Sequence, residues 1–287
     1  MASVGASKKN WKQHSLSSPH KYQIVSLKVN FYTPVRQKIG KLIAIQDGGV
    51  AVLIQTPVMS PEKHAAVRVI RVSKQYGQIT ALSDISLSVF EKAFVFVTGP
   101  SGAGKSTLIK LLYMGESFTN GAIIVDGVNL ARVSRKQIPW LRRKFGVIFQ
   151  DFKLIASKTV FENVALVLEV ARSRPDEIKD RVYAVLETVG IAERANEYPP
   201  VLSGGEQQRV AVARAMVGRP KFILADEPTG SLDPDSAGHI FGLLQTAHRQ
   251  GTTIILATHD ASLIRAHCGS LVRLENGRMQ MQPAADG

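Results

Sequence analysis

Unbroken runs of apolar and β-branched residues recur along the chain from residue 67 onward. They cover residues 94–97, 145–149, 222–225 and 252–258. Runs of this length without polar alternation are typical of strands that are buried on both faces of a parallel sheet. The segments 67–72, 81–89 and 121–127 are also strand-like, and 81–89 alternates apolar residues with serines as a half-buried strand does. The pattern therefore predicts a buried parallel sheet together with several more exposed strands.

Apolar positions spaced three and four residues apart predict helices between the strands. Such spacing occurs in residues 107–112, 160–168 and 178–189, and Gly190 marks a helix stop. Residues 158–200 as a whole are predicted to form a helical subdomain inserted into an α/β frame. The predicted fold class is therefore α/β.

The first 66 residues differ from the rest of the chain. They show no lasting period and hold nine Lys/Arg against two Asp/Glu, whereas the whole chain of 287 residues has a net charge of +13. We expect a disordered, solvated extension, and a basic tail that binds nucleic acid or an anionic membrane face is the alternative. We take Met59 as a candidate alternative translation start, a hypothesis that an intact mass of the native protein including residues 1–58 would exclude.

Composition favours a protein of a reducing compartment. The single cysteine, Cys268, excludes a disulfide framework within the chain. The most apolar stretch, 42–58, is interrupted by Gln-Asp-Gly-Gly and is not predicted to span a membrane. The N-terminal lysines are followed by polar residues, so no secretory signal is predicted. These features favour a cytoplasmic protein or one that is peripheral on a membrane.

The apolar run 94–97 leads into a glycine-rich loop that fits G-x-x-x-x-G-K-[ST], and an apolar-faced helix follows. Strand, glycine loop and helix are the context in which backbone N–H groups and a helix N-terminus bind phosphate. Lys105 is expected to reach the β- and γ-phosphates, and the Ser106 hydroxyl is expected to bind Mg²⁺ with Thr107 in support. The predicted nucleotide-binding residues are Gly99, Pro100, Ser101, Gly102, Ala103, Gly104, Lys105, Ser106 and Thr107.

Two carboxylates follow the apolar run 222–225 directly. Asp226 is predicted to bind the Mg²⁺ shell, directly or through water. Glu227 is predicted to orient or deprotonate the attacking water. An ordinary acidic loop after a strand is the alternative, and the phosphate loop upstream argues against it. The carboxyl ends of strands in an open α/β sheet are where such sites form.

Three further positions carry weaker signals. Gln150 and His259 each follow a strand of the predicted sheet, where a γ-phosphate or Mg²⁺ contact competes with a purely structural role. Tyr76, predicted in the turn 75–78, is either a residue that stacks on adenine or only a turn residue.

The segment Ser203-Gly204-Gly205-Glu206 opens another apolar-faced helix. It fits a capping box, in which Ser203 would cap the helix. Two successive glycines at a helix start also leave bare N–H groups that suit an anion. Both roles are compatible, so the segment is expected to contact phosphate as well as to cap the helix.

Taken together, these motifs resemble the ABC ATPases. The loop GPSGAGKS, Gln150, LSGGEQQR (202–209), FILADEP (222–228), SLD (231–233) and His259 follow in the order and approximate spacing of that family. LSGGEQQR is the segment that separates this family from other P-loop proteins. The phrases IPWLRRKFGVIFQDFKLI (138–155) and TVFENVALVLEV (159–170) are similar to the cell-division branch, with lipoprotein-release and macrolide-export ATPases as near neighbours.

The resemblance covers about residues 67–280 and implies a fold. That fold is an α/β P-loop NTPase of ABC ATPase type with a helical subdomain and a small antiparallel β subdomain. The expected domains are a basic extension over 1–66 and an ABC ATPase domain over 67–285, with the helical subdomain at about 151–215. A related chain of the cell-division branch would begin near Val67, so the extension lies outside the resemblance.

The resemblance also implies a mechanism. Two copies pair head to tail, with ATP and Mg²⁺ between the phosphate loop of one copy and Ser203, Gly204, Gly205 and Glu206 of the other. Asp233 helps to form the dimer seam, Gln150 and Asp226 join Ser106 at the metal, and Glu227 and His259 serve catalysis. The segment after Gln150, including Asp151 and Phe152, contacts a coupling helix of an integral membrane subunit similar to FtsX.

In that branch the membrane partner regulates cell-wall hydrolases during septation. The expected location is therefore peripheral, on the cytoplasmic face of the inner (plasma) membrane, with cytoplasmic division proteins as further candidate partners. One alternative is the ATPase of a lipoprotein or small-solute transporter, since the membrane subunit sets the cargo. A second is a soluble ABC protein acting on nucleic acid or ribosomes, which the lack of tandem ATPase domains or a long coiled-coil insertion disfavours.

Overall fold

The computed structural model describes residues 65–265, 267 and 269–280. Residues 1–64 of the predicted N-terminal extension, which include Met59, lie outside the described residues, and so does Cys268. Within residues 65–280, apart from the two undescribed positions, no helix has both the length and the hydrophobicity needed to cross a bilayer.

Ten strands and seven α-helices make up the described part of the chain. The strands are β1 (Ala65–Tyr76), β2 (Ile79–Phe90), β3 (Phe94–Thr98), β4 (Asn120–Val125), β5 (Val128–Asn129), β6 (Phe145–Ile148), β7 (Phe222–Asp226), β8 (Thr253–Ala257), β9 (Ser270–Glu275) and β10 (Arg278–Gln280). The α-helices are α1 (Lys105–Leu112), α2 (Ile138–Arg142), α3 (Val160–Val170), α4 (Pro175–Thr188), α5 (Gly204–Met216), α6 (Pro234–Arg249) and α7 (Ala261–Arg265). Short three-ten turns lie at Leu130–Arg132, Ala192–Arg194 and Pro199–Val201.

The larger sheet has six strands in the order β10-β9-β3-β8-β7-β6. All neighbours from β9 to β6 pair in parallel, and only β10 is antiparallel to its neighbour. Ile255 of β8 stands opposite Val95 on one side and Leu224 on the other. The carboxyl ends of β3, β8 and β7 therefore meet at one edge, which is where an open parallel sheet forms its site.

The smaller sheet is antiparallel, with the order β2-β1-β4-β5. Asp126 and Gly127 turn β4 back into β5, as the Asp-Gly pair predicts. The expected small antiparallel β subdomain is thus confirmed.

Alternate residues of each buried strand face two different cores, because successive side chains of a strand point to opposite faces. Val95 and Val97 face the antiparallel sheet and α1, whereas Phe94 and Phe96 face the helices. The buried side of α1, which includes Leu108 and Leu111, packs between the two sheets. The start of α1 is therefore held firmly at the end of β3.

Helices α3, α4 and α5 pack against one another and share the helix-facing core. Asn163 of α3 is fully buried and binds the preceding loop, accepting from Ile155 N–H at 2.8 Å and donating to Lys158 C=O at 2.9 Å. A buried amide of this kind requires such partners. The loop that follows Gln150 is thereby fixed to the helical part of the chain.

One local prediction is wrong. Gln75 and Tyr76 do not form the turn but end β1, paired with Thr80 and Ile79. The turn is shorter, Gly77-Gln78, because the positive φ of Gly77 (58°) allows a tight reversal. Helix α6 and strands β9 and β10 were not predicted by the hydrophobic pattern.

Candidate functional site

The glycine loop runs from the end of β3 to the start of α1. Gly104 is the residue before α1 and adopts φ 100°, a left-handed conformation; a Cβ there would lie 2.6 Å from Leu82 Cδ2. Within the described part of the chain, no side chain caps the first turn of α1. The N–H groups of that turn are therefore available to an anionic ligand, as the phosphate prediction requires.

Lys105 lies across the loop with its side chain 8% exposed. Its Nζ donates to Gly99 C=O at 2.8 Å and to Pro100 C=O at 3.2 Å, and lies 3.4 Å from Glu227 Oε1. A buried ammonium needs such partners to offset its desolvation. The geometry brings the cation, the loop and Glu227 together at one point.

Ser106 and Asp226 form the second contact between the loop and β7. The Ser106 hydroxyl donates to Asp226 Oδ1 at 3.0 Å. Burial raises the pKa of the Asp226 carboxyl, and the bond from Ser106 partly opposes that rise. A hydroxyl beside a carboxylate is a donor set that suits Mg²⁺, and both residues fit the predicted metal ligands.

Glu227 and His259 meet although 32 positions separate them. The imidazole Nδ1 of His259 lies 2.9 Å from Glu227 Oε2 and donates to it, since the carboxylate can only accept. The Glu227 side chain is 10% exposed, whereas that of His259 is 68% exposed. Glu227 also has φ 48°, an uncommon backbone conformation for a residue with a side chain.

Tyr76 lies at the end of β1 with 41% of its surface exposed. Its hydroxyl donates to Glu116 Oε2. Burial and then the bond to Glu116 raise the pKa of the Tyr76 hydroxyl, so it remains a donor at neutral pH. The Tyr76 ring is thus held at the surface by its hydroxyl. Its stacking on adenine stays a prediction.

The segment Ser203–Glu206 forms a complete capping box at the start of α5. The Ser203 hydroxyl accepts from Glu206 N–H at 3.3 Å, and Glu206 Oε2 accepts from Ser203 N–H at 2.8 Å. Gly204 is exposed, and the nearest atom to a Cβ there would be Leu232 Cδ2 at 4.0 Å. Among the described residues, no hydrogen bond or ion pair joins this segment to the phosphate loop.

Asp233 and Gln150 take no part in the contacts of Lys105 and Glu227 among the described residues. Asp233 caps α6, since its Oδ1 accepts from Ser236 N–H at 2.9 Å, and this bond lowers the pKa of Asp233. Gln150 is exposed, two positions beyond β6, and takes part in none of the hydrogen bonds of the described residues. Its metal role and the dimer role of Asp233 remain predictions.

Two contacts near these sites were missed by the sequence patterns. Arg214 of α5 donates to Phe152 C=O and Lys153 C=O, both at 2.6 Å, and so fastens the loop after Gln150 to the helix that Ser203 opens. Glu116 holds Tyr76. Both contacts join residues 40 or more positions apart, and no local pattern signals such a pairing.

Comparisons with known proteins agree with this geometry. Residues 82–230 match the family model described as ABC transporter. The chain is 46% identical to the cell division ATP-binding protein FtsE of Streptococcus pneumoniae, over 72% of this chain and 90% of that protein. It is 43% identical to the methionine import ATP-binding protein MetN of Photobacterium profundum, over 74% of this chain and 63% of that protein.

A solved structure shows the same fold. The ATP-binding cassette MJ0796, in a dimeric post-hydrolysis state bound to ADP and Pi, superposes with a TM-score of 0.71 at 33% identity and covers 77% of this chain and 99% of its own. The family match, the relatives and the fold agree with the motif order found in the sequence. The chain therefore belongs to the ABC transporter family and is an ATP-hydrolysing subunit of ABC type.

Proposed function

We propose that this chain is the ATP-hydrolysing subunit of an FtsEX-like membrane complex that acts in cell division, where it regulates septal cell-wall hydrolysis. The observation that carries the proposal is 46% identity to FtsE over 90% of that protein's length. The phrases 138–155 and 159–170, which resemble the cell-division branch, support it further.

The site residues take the following roles. Lys105 exchanges its carbonyl partners for β- and γ-phosphate oxygens, while the N–H groups of residues 101–104 and the start of α1 surround the phosphates. Ser106, Asp226 and Gln150 would hold Mg²⁺, whose charge would offset that of the phosphates. Glu227 accepts a proton from the attacking water, and His259 orients Glu227 or contacts the γ-phosphate.

A second copy completes the site in this proposal. The segment Ser203–Glu206 makes no hydrogen bond or ion pair to the phosphate loop within the described part of the chain, and Gly204 is exposed. MJ0796, which shares the fold, was solved as a dimer bound to ADP and Pi. Head-to-tail pairing would place Ser203–Glu206 of each copy on the nucleotide of the other, with Asp233 at the seam.

The membrane subunit is proposed to bind near the loop after Gln150. Asp151 is exposed and Phe152 has φ 58°, and Arg214 fixes the loop to α5. A partner similar to FtsX that moves this loop would therefore act on the helix that carries Ser203. The chain would then be peripheral on the cytoplasmic face of the plasma membrane.

The proposed ATPase domain extends over 67–285, with a helical subdomain at about 151–215 that contains α3 and α4 and nearly all of α5. A second candidate function is that of a transporter ATPase. The 43% identity to MetN favours it, because MetN is a methionine import ATP-binding protein.

A pull-down separates the two functions. Glu227→Gln, expected to retain ATP, is tagged and recovered from detergent-solubilised membranes with ATP and Mg²⁺, and its partners are identified by mass spectrometry. A four-span membrane protein with a large periplasmic domain, together with division proteins, is the result we predict. A multi-span permease with a solute-binding protein would instead establish the transporter function, and ribosomal proteins alone would contradict both.

A further inference from the structure

Glu116 lies just beyond α1, beside the end of β1, and three donors converge on it. The Tyr76 hydroxyl donates to its Oε2. Lys74 Nζ lies 3.6 Å from Oε2, and Lys110 Nζ lies 3.4 Å from Oε1. The bond from Tyr76 is the largest of the causes that lower the pKa of Glu116, so the carboxylate is charged at neutral pH.

Lys74 contacts the face of the Tyr76 ring. Its Nζ lies 4.6 Å from the ring centroid, within the range of a cation–π contact, and donates to Ser117 C=O at 2.7 Å. One face of the ring therefore carries a cation.

The backbones on either side of this contact are also joined. Gln75 N–H donates to the Thr119 hydroxyl at 3.0 Å, and Thr119 N–H donates to Ser73 C=O at 2.8 Å. Residues 116–119 are thus hydrogen-bonded to the last residues of β1. The Tyr76 hydroxyl is bonded to a group that is itself held in place.

We propose that Glu116 is a positioning residue for base binding: it holds the Tyr76 ring by its hydroxyl, with Lys74 on one face, so that the other face is presented to adenine. This inference rests on the proposed adenine-stacking role of Tyr76. A ring that is ordered before the ligand arrives loses less side-chain entropy on binding than a free one. Glu116 acts through Tyr76 and does not itself contact the nucleotide.

A double-mutant cycle on ATP affinity tests the proposal. Isothermal titration with ATP in EDTA keeps hydrolysis out of the measurement. Glu116→Ala and Tyr76→Phe should each raise Kd about three- to tenfold, the scale of ordering one side chain on binding, because the bond itself is present with and without ATP. The double variant should be no weaker than the weaker single variant, because both changes remove the same bond. Additive effects, or an unchanged Kd in Glu116→Ala, would overturn the proposal.

Two controls separate positioning from a general structural effect. Glu116→Gln keeps an acceptor for the hydroxyl and should restore most of the affinity; a loss equal to that of Glu116→Ala would contradict the hydrogen-bond account. The affinity for inorganic tripolyphosphate, which has no base, should be the same in Glu116→Ala as in the native chain. A parallel loss for tripolyphosphate would mean that Glu116 supports the phosphate loop and not the ring.

Tyr76→Ala distinguishes this inference from the role on which it rests. If Tyr76→Ala leaves ATP affinity unchanged, the stacking role itself is wrong. If Tyr76→Ala weakens ATP but Glu116→Ala does not, stacking holds and only the positioning role is wrong. Thermal unfolding of each variant without nucleotide should begin well above the titration temperature, which shows that the binding changes do not arise from unfolding.

Discussion

Lys105 is the residue that joins the phosphate loop to the acidic pair after β7. Its Nζ lies within 3.4 Å of two loop carbonyls and the Glu227 carboxylate. These partners stabilise the charge without a ligand, and the two carbonyls hold the loop closed around the amine. An incoming phosphate would therefore meet an ammonium that is already in place.

Lys105→Ala is predicted to abolish measurable ATP binding, because the only side-chain cation of the loop is removed while the loop fold depends on glycine conformations that remain. Equilibrium binding of a fluorescent ATP analogue measures the effect. Lys179→Ala, which removes a cation of α4, is the matched control and should bind as the native chain does. Near-normal affinity of Lys105→Ala would contradict the phosphate-loop role.

Single residues differ in how far the sequence predicts them. Lys105, Ser106, Asp226 and Glu227 lie at the end of a strand or shortly after one, so local order along the chain indicates their chemistry. The bond between Tyr76 and Glu116 spans 40 positions and depends on how β1 packs beside the end of α1. No local pattern carries that information.

At the scale of elements, two helices begin with the same device. Thr159 and Glu162 cap α3 as Ser203 and Glu206 cap α5, each with both hydrogen bonds of the capping box. Only the α5 box belongs to the segment that is proposed to reach the nucleotide of a second copy. Comparing the two capping boxes therefore separates the effect of a lost helix cap from the effect of a lost nucleotide contact.

Thr159→Ala and Ser203→Ala are both predicted to lower the free energy of unfolding by about 1 kcal/mol, the usual cost of a lost N-cap. Chemical denaturation measures this. Ser203→Ala alone should also lose ATP-dependent dimer formation, measured by light scattering in the Glu227→Gln background. If both variants dimerise equally well, Ser203 is a cap and nothing more.

The elements also show why some structure escapes the hydrophobic pattern. Strand β9 has mostly intermediate or exposed positions, so it lacks the unbroken apolar run of β3 or β8. Helix α6 is amphipathic, but it begins in a turn-like Asp-Pro-Asp sequence, where Asp233 proves to be its cap. The buried strands and α3–α5 were predictable because their apolar periods are long and regular.

At the scale of the whole domain, an ion-pair cluster ties the antiparallel sheet to the parallel one. Asp126, in the turn after β4, binds Lys144 just before β6 and Lys221 just before β7, each at 2.5 Å. Lys221 also lies 2.8 Å from Glu91. The bonds from Lys144 and then Lys221 lower the pKa of Asp126, and the bond to Asp126 is the main cause that raises the pKa of Lys221.

The cluster makes the free energy of unfolding fall as the pH becomes acidic. Because the Asp126 pKa is lower in the folded state, its stabilisation is complete above the ordinary carboxyl pKa of about 3.9 and is lost as pH falls through the folded value. Asp126→Asn, which tolerates the same φ of 49°, should lose about 1 kcal/mol at neutral pH and show a weaker decline in acid. Urea denaturation at several pH values measures both. Asp151→Asn, in the exposed pair with Lys153, is the control and should leave the free energy of unfolding unchanged.

In the proposed dimer, each nucleotide site is built from two copies of the chain. The most direct measurement mixes Lys105→Ala with Gly204→Asp, both in the Glu227→Gln background, and counts labelled ATP held in the dimer fraction. Gly204 is chosen because a Cβ there has no neighbour nearer than 4.0 Å among the described residues of its own chain. Sites shared between copies predict that neither variant alone retains ATP in a dimer, whereas the mixture retains one ATP per dimer. A mixture that holds no more ATP than the separate variants would mean that the sites are not shared between copies.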